Sequence, residues 1–346
     1  MKNRLLLLLF LFLHCLVAFP QSTPGEISLM FYNVENLFDT KDDPLTNDDE
    51  FTPQGTRRWT YKRLSKKLND IAKVILSASG WEAPQLVALC EIENHYVLDR
   101  LRKSTPLQKI PYKIIHKDSP DFRGIDVAFL YNEESFYPLK YQYFPLTDAD
   151  GETLNTREIL YVSGIVGNSD TIHLFANHWP SRYSGLLESK DLRKLAAETL
   201  RKQVEEIQKL FTNPKIIIVG DFNDQPNDDS VFIHLGAAKV PESADSWERH
   251  KLYNLSYDWI NDKTGTLKFQ TQWSVFDQII VSGELLHPEN GLYTKPEWAQ
   301  IVKLPFLFEK DERYGGQRLN RTYYGFRYQG GFSDHLPVLL KLRFNP

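Results

Sequence analysis

A mixed α/β fold built on buried strands is what the sequence predicts, on two observations. Four short apolar runs rich in β-branched residues each end on a polar residue of catalytic type. Between them, two long stretches carry apolar residues at the three-and-four spacing of amphipathic helices. With 346 residues, 42% hydrophobic and 13% aromatic, the chain has material for a large core, which excludes disordered and fibrous classes.

At the N-terminus, Lys2 and Arg4 precede an almost unbroken leucine and phenylalanine run from Leu5 to Val17. Ala18, Pro20, Ser22, Pro24 and Gly25 follow, the order of a secretory leader. Residues 1–22 are therefore read as a removed signal peptide and 26–346 as one catalytic domain. The other reading, an uncleaved anchor, meets a run shorter than the roughly 20 residues that span a bilayer. His14 before Cys15 does not suit a lipoprotein. The expected protein is periplasmic or extracellular, monomeric, and without a stable membrane anchor. Cys90 then stays as its only thiol, so no intramolecular disulfide can form. Loss of Lys2 and Arg4 takes the net charge from −4 to about −6. Proteins that grip nucleic acid by bulk charge are basic, so any polyanion binding here must be local.

The strand signals come in order. Ile27–Tyr32 ends at Asn33, Leu86–Cys90 at Glu91, Thr171–Ala176 at Asn177 and His178, and Ile216–Val219 at Gly220 and Asp221. Two pieces run the other way, with Asp277 leading into QIIVS and Asp334–His335 into LPVLLKL. Polar residues emerging from one end of neighbouring strands converge on one cleft. The first helix is expected over Tyr61–Ser77, through Leu64, Leu68, Ile71, Ala72 and Ile75, with Arg57, Arg58 and Trp59 at its entry. The second spans Leu187–Phe211, through Leu192, Leu195, Ala196, Thr199, Val204, Ile207 and Leu210, and Pro214 stops it. No internal repeat or long linker divides the chain.

Taken alone, GDFND at Gly220–Asp224, SDHLP at Ser333–Pro337 and the Glu91 of CEIEN are weak signals, because turns and helix caps use the same residues. Their co-occurrence at strand edges, with Asn33, Asn223 and Asp277, points to chemistry.

Seven blocks carry a family likeness. NVENLF, LCEIEN, RGIDVAFLYN, NHWPSR, VGDFND, FDQIIVS and GFSDHLPV resemble, in order, the motifs of the endonuclease/exonuclease/phosphatase superfamily, from about Ile27 to the C-terminus. The resemblance implies a four-layer α/β/β/α sandwich of two packed mixed β-sheets, with the active site at one rim. It also implies metal-dependent hydrolysis of phosphodiesters. Glu91, Asn33 and Asp334 would hold Mg²⁺ or Mn²⁺, which favour hard oxygen ligands. His335 would be general base or phosphate activator, with Asp277 fixing its tautomer. Asp221 and Asn223 would hold the nucleophilic water and the phosphoryl oxygen. His178 in NHWPS is similar to the second histidine of the deoxyribonuclease I and sphingomyelinase branches, with Asp126 as its orienting group. Asn177, Arg123, Arg182, Arg321 and Tyr324 would contact substrate.

Two further segments have double readings. Arg313–Gly331 holds four arginines, five aromatics and no acid. It can grip phosphates and stack bases, or be a glycine-rich surface loop. Asp39–Glu50 is an acidic loop, either a solvated face or a secondary Ca²⁺ site. The leading functional expectation is an exported endonuclease acting on DNA or RNA. The alternative is a hydrolase of a phospholipid headgroup or a sugar or inositol phosphate. An inactive binding module is opposed by the presence of Glu91, Asp221, Asn223, Asp277 and His335.

Overall fold

In the computed structural model the described residues are 25–345, apart from 81, 168, 169, 183, 184, 186–188 and 262. The expected leader lies outside them. Alternation along the strands sets the layering. In β1 (Glu26–Leu37), Met30, Tyr32 and Val34 face one side while Ile27, Leu29 and Phe31 face the other, all buried. The strands β2 (Leu86–Ile92), β3 (Tyr112–Ile115) and β4 (Asp126–Asn132) join it in one sheet, ordered Val338–Phe344, β1, β2, β4, β3. A second sheet runs β5 (Phe136–Phe144), β6 (Ile159–Val166), β7 (Asp170–His178), β8 (Lys215–Asp221), then Asp277–Ser282. It closes on Leu252–Asn254 and Ala237–Lys239. Both sheets mix parallel and antiparallel pairs.

Leu29, Phe31, Leu174, Ile217, Val219, Ile279 and Leu340 fill the space between the sheets. Helices α1 (Tyr61–Ser77) and α2 (His95–Lys103) cover the first sheet's outer face. Helix α3 (Lys190–Leu210) covers the second's, through Ala196, Leu200, Val204 and Ile207. The result is the expected α/β/β/α order. Each fully buried aliphatic side chain in these layers contributes roughly 1.5–3 kcal/mol.

Helix α1 falls where its periodicity predicts. The predicted face of α3 needs adjustment: Leu192 and Leu210 are exposed, and Arg193 and Ala197 take buried positions instead. Both leucines lie in terminal turns. The nine residues of α2 are too few to show a period, although Asn94 caps it by accepting the Val97 N–H. Among the described residues no helix is long and apolar enough to cross a membrane.

Strand register positions the site. β7 pairs with β8 so that His178 lies opposite Asp221, and β8 pairs with Asp277–Ser282 so that Asp221 lies opposite Asp277. Three polar residues thus stand in a row across one end of the second sheet. At the same rim of the first sheet, register shifts between Cys90 and Ile92 leave Glu91 at φ 62°. Such a bulge re-aims a side chain, and here it directs Glu91 toward the row.

Candidate active site

Asp221 is the hub. Its Oδ1 accepts the Asn223 N–H at 3.0 Å, and its Oδ2 accepts the Asn33 Nδ2–H at 3.1 Å. The Nε2 atoms of His178 and His335 each lie 3.8 Å from that same Oδ2. Burial pushes the Asp221 carboxyl up to about 6, the Asp277 carboxylate adding to the shift and the His335 imidazolium opposing it.

The two histidines are set to opposite charge states. His335 Nδ1 is 2.7 Å from Asp277 Oδ2, and Asp277 is fully buried. Burial works against the imidazolium, but the Asp277 and Asp221 carboxylates outweigh it and hold His335 well above the ordinary histidine range. His178 meets the reverse. Burial, with Arg157 and Arg123 nearby, drives it well below that range, and its Nδ1 has no hydrogen-bond partner among the described residues. One imidazole is therefore charged and one neutral, both within 3.8 Å of a carboxyl oxygen whose group is pushed up to about 6. Ser333 ties two first-sheet contributors together here: its hydroxyl donates to the Asn33 carbonyl at 2.7 Å and accepts the His335 N–H at 3.0 Å.

Glu91 has the donor chemistry for a hard divalent cation. Its Oε2 accepts the Asn36 N–H at 2.8 Å, while the nearest donor to Oε1, Asn33 Nδ2, stands 3.5 Å away. An anionic oxygen thus faces the site without a firm hydrogen bond, on a side chain 14% exposed. Among the described residues, Asp221, Asp277 and His335 also bring ligand atoms close enough to share an ion.

The family profile described as Endonuclease/Exonuclease/phosphatase family matches residues 28–344. The chain belongs to that family. Its members are hydrolases acting on phosphodiester bonds and are generally dependent on divalent metal. Solved structures agree on the fold. An endonuclease/exonuclease/phosphatase family protein from Bacteroides thetaiotaomicron is similar at 15% identity and a TM-score of 0.56, covering 92% of this chain and 98% of that one. The human nocturnin catalytic domain with bound sulfate is similar at 15% identity and 0.53, covering 92% and 94%. D. rerio TDP2 complexed with single-strand DNA product is similar at 13% and 0.54, covering 92% and 99%. A search of curated protein sequences finds no match.

Within this endonuclease/exonuclease/phosphatase fold, His178, His335, Asp277 and Asp221 do converge; Asn223 meets Asp221 through its backbone N–H and commits its Nδ2 to the Trp179 carbonyl at 3.0 Å, and several other expectations are corrected. Asn33 presents its amide nitrogen to Glu91 and Asp221, while its Oδ1 accepts the Glu35 N–H at 3.0 Å. It spaces the carboxylates rather than offering an oxygen to metal. Asp334 pairs with Arg321 Nη2 at 2.7 Å, so neither is free for the role expected of it. Asn177 is fully buried, donating to the Val219 carbonyl and accepting from Trp179 Nε1. It supports the row from beneath instead of touching substrate. Tyr324 donates its hydroxyl to the Leu319 carbonyl, and its ring carries Arg318 at 4.1 Å and Arg321 at 5.6 Å. Asp126 does not reach His178: its two oxygens go to His116 Nε2 and the Ser119 N–H.

Arg182 is likewise a brace. Its Nε donates to the Asn223 carbonyl at 2.7 Å, and its Nη2 pairs with Asp224 and Asp228 at 2.5 Å each. The loop whose Asn223 N–H orients Asp221 is held by this guanidinium, with the buried Arg193 pairing with Asp224 as well. Arg182→Ala is expected to lower kcat about 10-fold or more with little change in KM, the pattern of a positioning residue. A steady-state comparison with Arg182→Lys checks it, and a pure KM effect would return Arg182 to substrate contact.

Of the expected contacts, Arg123 alone keeps a free approach. Its side chain is 34% exposed, with Asp121 Oδ1 at 3.9 Å. It lines a cleft of about 890 Å³ with Asn36, Arg57, Phe122, Arg157 and Phe326. The cleft runs past the rim, and its lining includes Pro180 and Ser181, which follow His178, and Asn36, whose N–H bonds to Glu91. Arg157 went unpredicted because nothing in its polar segment marks it, yet it donates to the Trp179 carbonyl at 2.7 Å and pairs with Asp121. Glu35 was also missed, although its place two residues after Asn33 in NVEN was a signal.

The acidic loop is not simply a solvated face. Asp48 is fully buried and Asp39 nearly so, beside Glu93, whose carboxylate accepts the Asp39 N–H. The loop's carboxylates are largely engaged by backbone amides, and it is not among the metal-capable groups of the described residues. Burial, with the Asp39 and Asp48 carboxylates adding, pushes Glu93 up to about 8. A raised acid stabilises the fold while protonated, so this stability is full below about 4.5 and is lost as pH rises through about 8. Glu93→Gln is expected to flatten that dependence. Thermal melts in EDTA should show the variant above wild type at pH about 9 and level with it near pH 4. Parallel curves would refute the assignment.

Proposed function

We propose that the protein is an exported, Mg²⁺- or Mn²⁺-dependent phosphodiesterase acting on nucleic acid as an endonuclease. The observation that carries the reaction is the pair of imidazoles, one cationic and one neutral, that each approach Asp221 Oδ2 to 3.8 Å. Asp221, titrating near 6, accepts a proton from the attacking water. The His335 imidazolium, held by Asp277, donates a hydrogen bond to a phosphoryl oxygen and offsets the charge that gathers there. Neutral His178 faces the phosphate from the other side, able to take or relay a proton. Glu91 would hold the cation, which when bound supplies Lewis-acid neutralisation of the phosphate.

Nucleic acid as substrate is supported by the neighbouring cleft. Arg57 and Arg123 bring positive charge to it, and the exposed Phe122 and Phe326 offer rings for bases. The same lining carries Asp49 and Glu50, and Arg57 Nε pairs with Glu50 at 2.8 Å, so Arg123 is the more open of the two arginines to a phosphate. Export is supported by the composition of residues 1–22.

The test is a panel assay of the purified protein with Mg²⁺ or EDTA on plasmid DNA, single-stranded DNA, RNA, sphingomyelin and a chromogenic bis-phosphodiester. Metal-dependent nicking of plasmid that disappears in His335→Ala supports the proposal. Turnover of sphingomyelin alone replaces the substrate class. Fractionation of expressing cells tests export, and a purely cytoplasmic, unprocessed product refutes it.

A further inference from the structure

Beside the catalytic row lies a second pair of carboxylates, Glu35 and Asp334, which the proposed reaction does not use. Glu35 is 3% exposed. Two neighbouring carboxylates drawn out of water require a countercharge, and Arg321 supplies it. Its Nε is 3.1 Å from Glu35 Oε1 and its Nη2 is 2.7 Å from Asp334 Oδ2, so one guanidinium spans both acids.

The bridge is built in, not a chance surface contact. The next residue, Thr322, is buried and donates its N–H to Glu35 Oε2 at 2.6 Å. From helix α1 the buried Lys67 donates to Thr322 Oγ1 at 2.6 Å and to the Phe332 carbonyl at 2.5 Å, pinning the residue that follows Arg321 and the chain eleven residues on. Guanidinium stays charged throughout the working pH range, so protonation cannot release the pair. A metal ion entering there would have to displace this cation and then face it across a few ångströms.

We propose that Arg321 is a resident cation that closes the Glu35–Asp334 pair to metal, so that the chain takes a single divalent ion, at Glu91. The inference rests on the metal-dependent reading above. It also gives Arg321 a role in fixing metal number, in place of gripping substrate.

Counting bound Mn²⁺ tests this, by calorimetric titration and by the loss of the free-ion paramagnetic resonance signal. Wild type is expected to bind one Mn²⁺ per chain. Glu35→Gln, which still accepts the Thr322 N–H, should keep that count with affinity changed by less than about 10-fold. Arg321→Lys should also bind one, whereas Arg321→Met should gain a second, and folding of Arg321→Met only in the presence of Mn²⁺ would equally support the proposal. Two ions in wild type overturn it while leaving the metal-dependent reading intact. So does a folded Arg321→Met that still binds one, or a loss of about 10-fold or more in Glu35→Gln. If Arg321→Met folds under no condition, the wild-type and Glu35→Gln counts decide. No Mn²⁺ bound by wild type at all overturns the metal reading and this inference together.

Discussion

Replacing His335 with glutamine is expected to cut turnover of a chromogenic bis-phosphodiester by about 10²- to 10⁴-fold, the usual worth of a positioned proton-transfer group. The glutamine amide can still hydrogen-bond to Asp277, so the fold should survive and the loss should be chemical. The pH profile gives the sharper test. Asp221 must be ionised, and burial places it near 6, so activity should fall as pH drops through that value. His335 must be protonated, and because Asp277 and Asp221 raise it, the alkaline limb should lie well above the ordinary histidine value. Asp277→Asn removes one of those charges while preserving shape. It should move the alkaline limb to lower pH and leave the acid limb nearly in place, apart from a small fall in the Asp221 value. If Asp277→Asn lowers kcat without moving the alkaline limb, the charged form of His335 is not the working form.

The second large effect separates Glu91 from His178. Glu91→Ala removes the anionic oxygen assigned to the cation. Metal affinity should therefore fall by more than the roughly 10- to 100-fold that an outer partner is worth. His178→Ala should lower kcat by about 100-fold or more with metal affinity largely kept, because the imidazole is neutral and faces the phosphate side. Mn²⁺ titrations read alongside kcat make the comparison. Equal loss of metal in both variants would show that His178 is itself a ligand and end the division of roles.

How much of this was legible in the sequence depends on the kind of contact. Strand ends were readable because an apolar run that stops at a polar residue marks both a buried strand and its rim. Asn33, Glu91, His178, Asp221, Asp277 and His335 were found that way, and the sheets bring all six together. The layer order followed from the ordered motifs.

Commitments of individual side chains were not readable, because their partners come from elsewhere in the chain. Arg182 looks free until Asp224 and Asp228 fold against it some forty residues later. Asn177 looks like a rim residue until the Val219 carbonyl and the Trp179 indole claim it. Asp126 was assigned to a histidine by motif, but one ten residues upstream, His116, reaches it first. A charged residue near a catalytic motif is thus as often a brace as a hand, and only three-dimensional pairing distinguishes them.

The catalytic row belongs to one sheet, while His335, Asn33 and Glu91 arrive from the other. The reacting assembly therefore exists only where two slabs meet, and the apolar filling between them acts as its spacer. A misplacement of about 1 Å can cost 10²-fold in rate. A cavity opened at Ile279 or Leu340, remote from any phosphate, would then blunt the enzyme while the protein still melted as a folded whole. The filling is, in effect, a gauge block whose thickness sets the gap between acid and base.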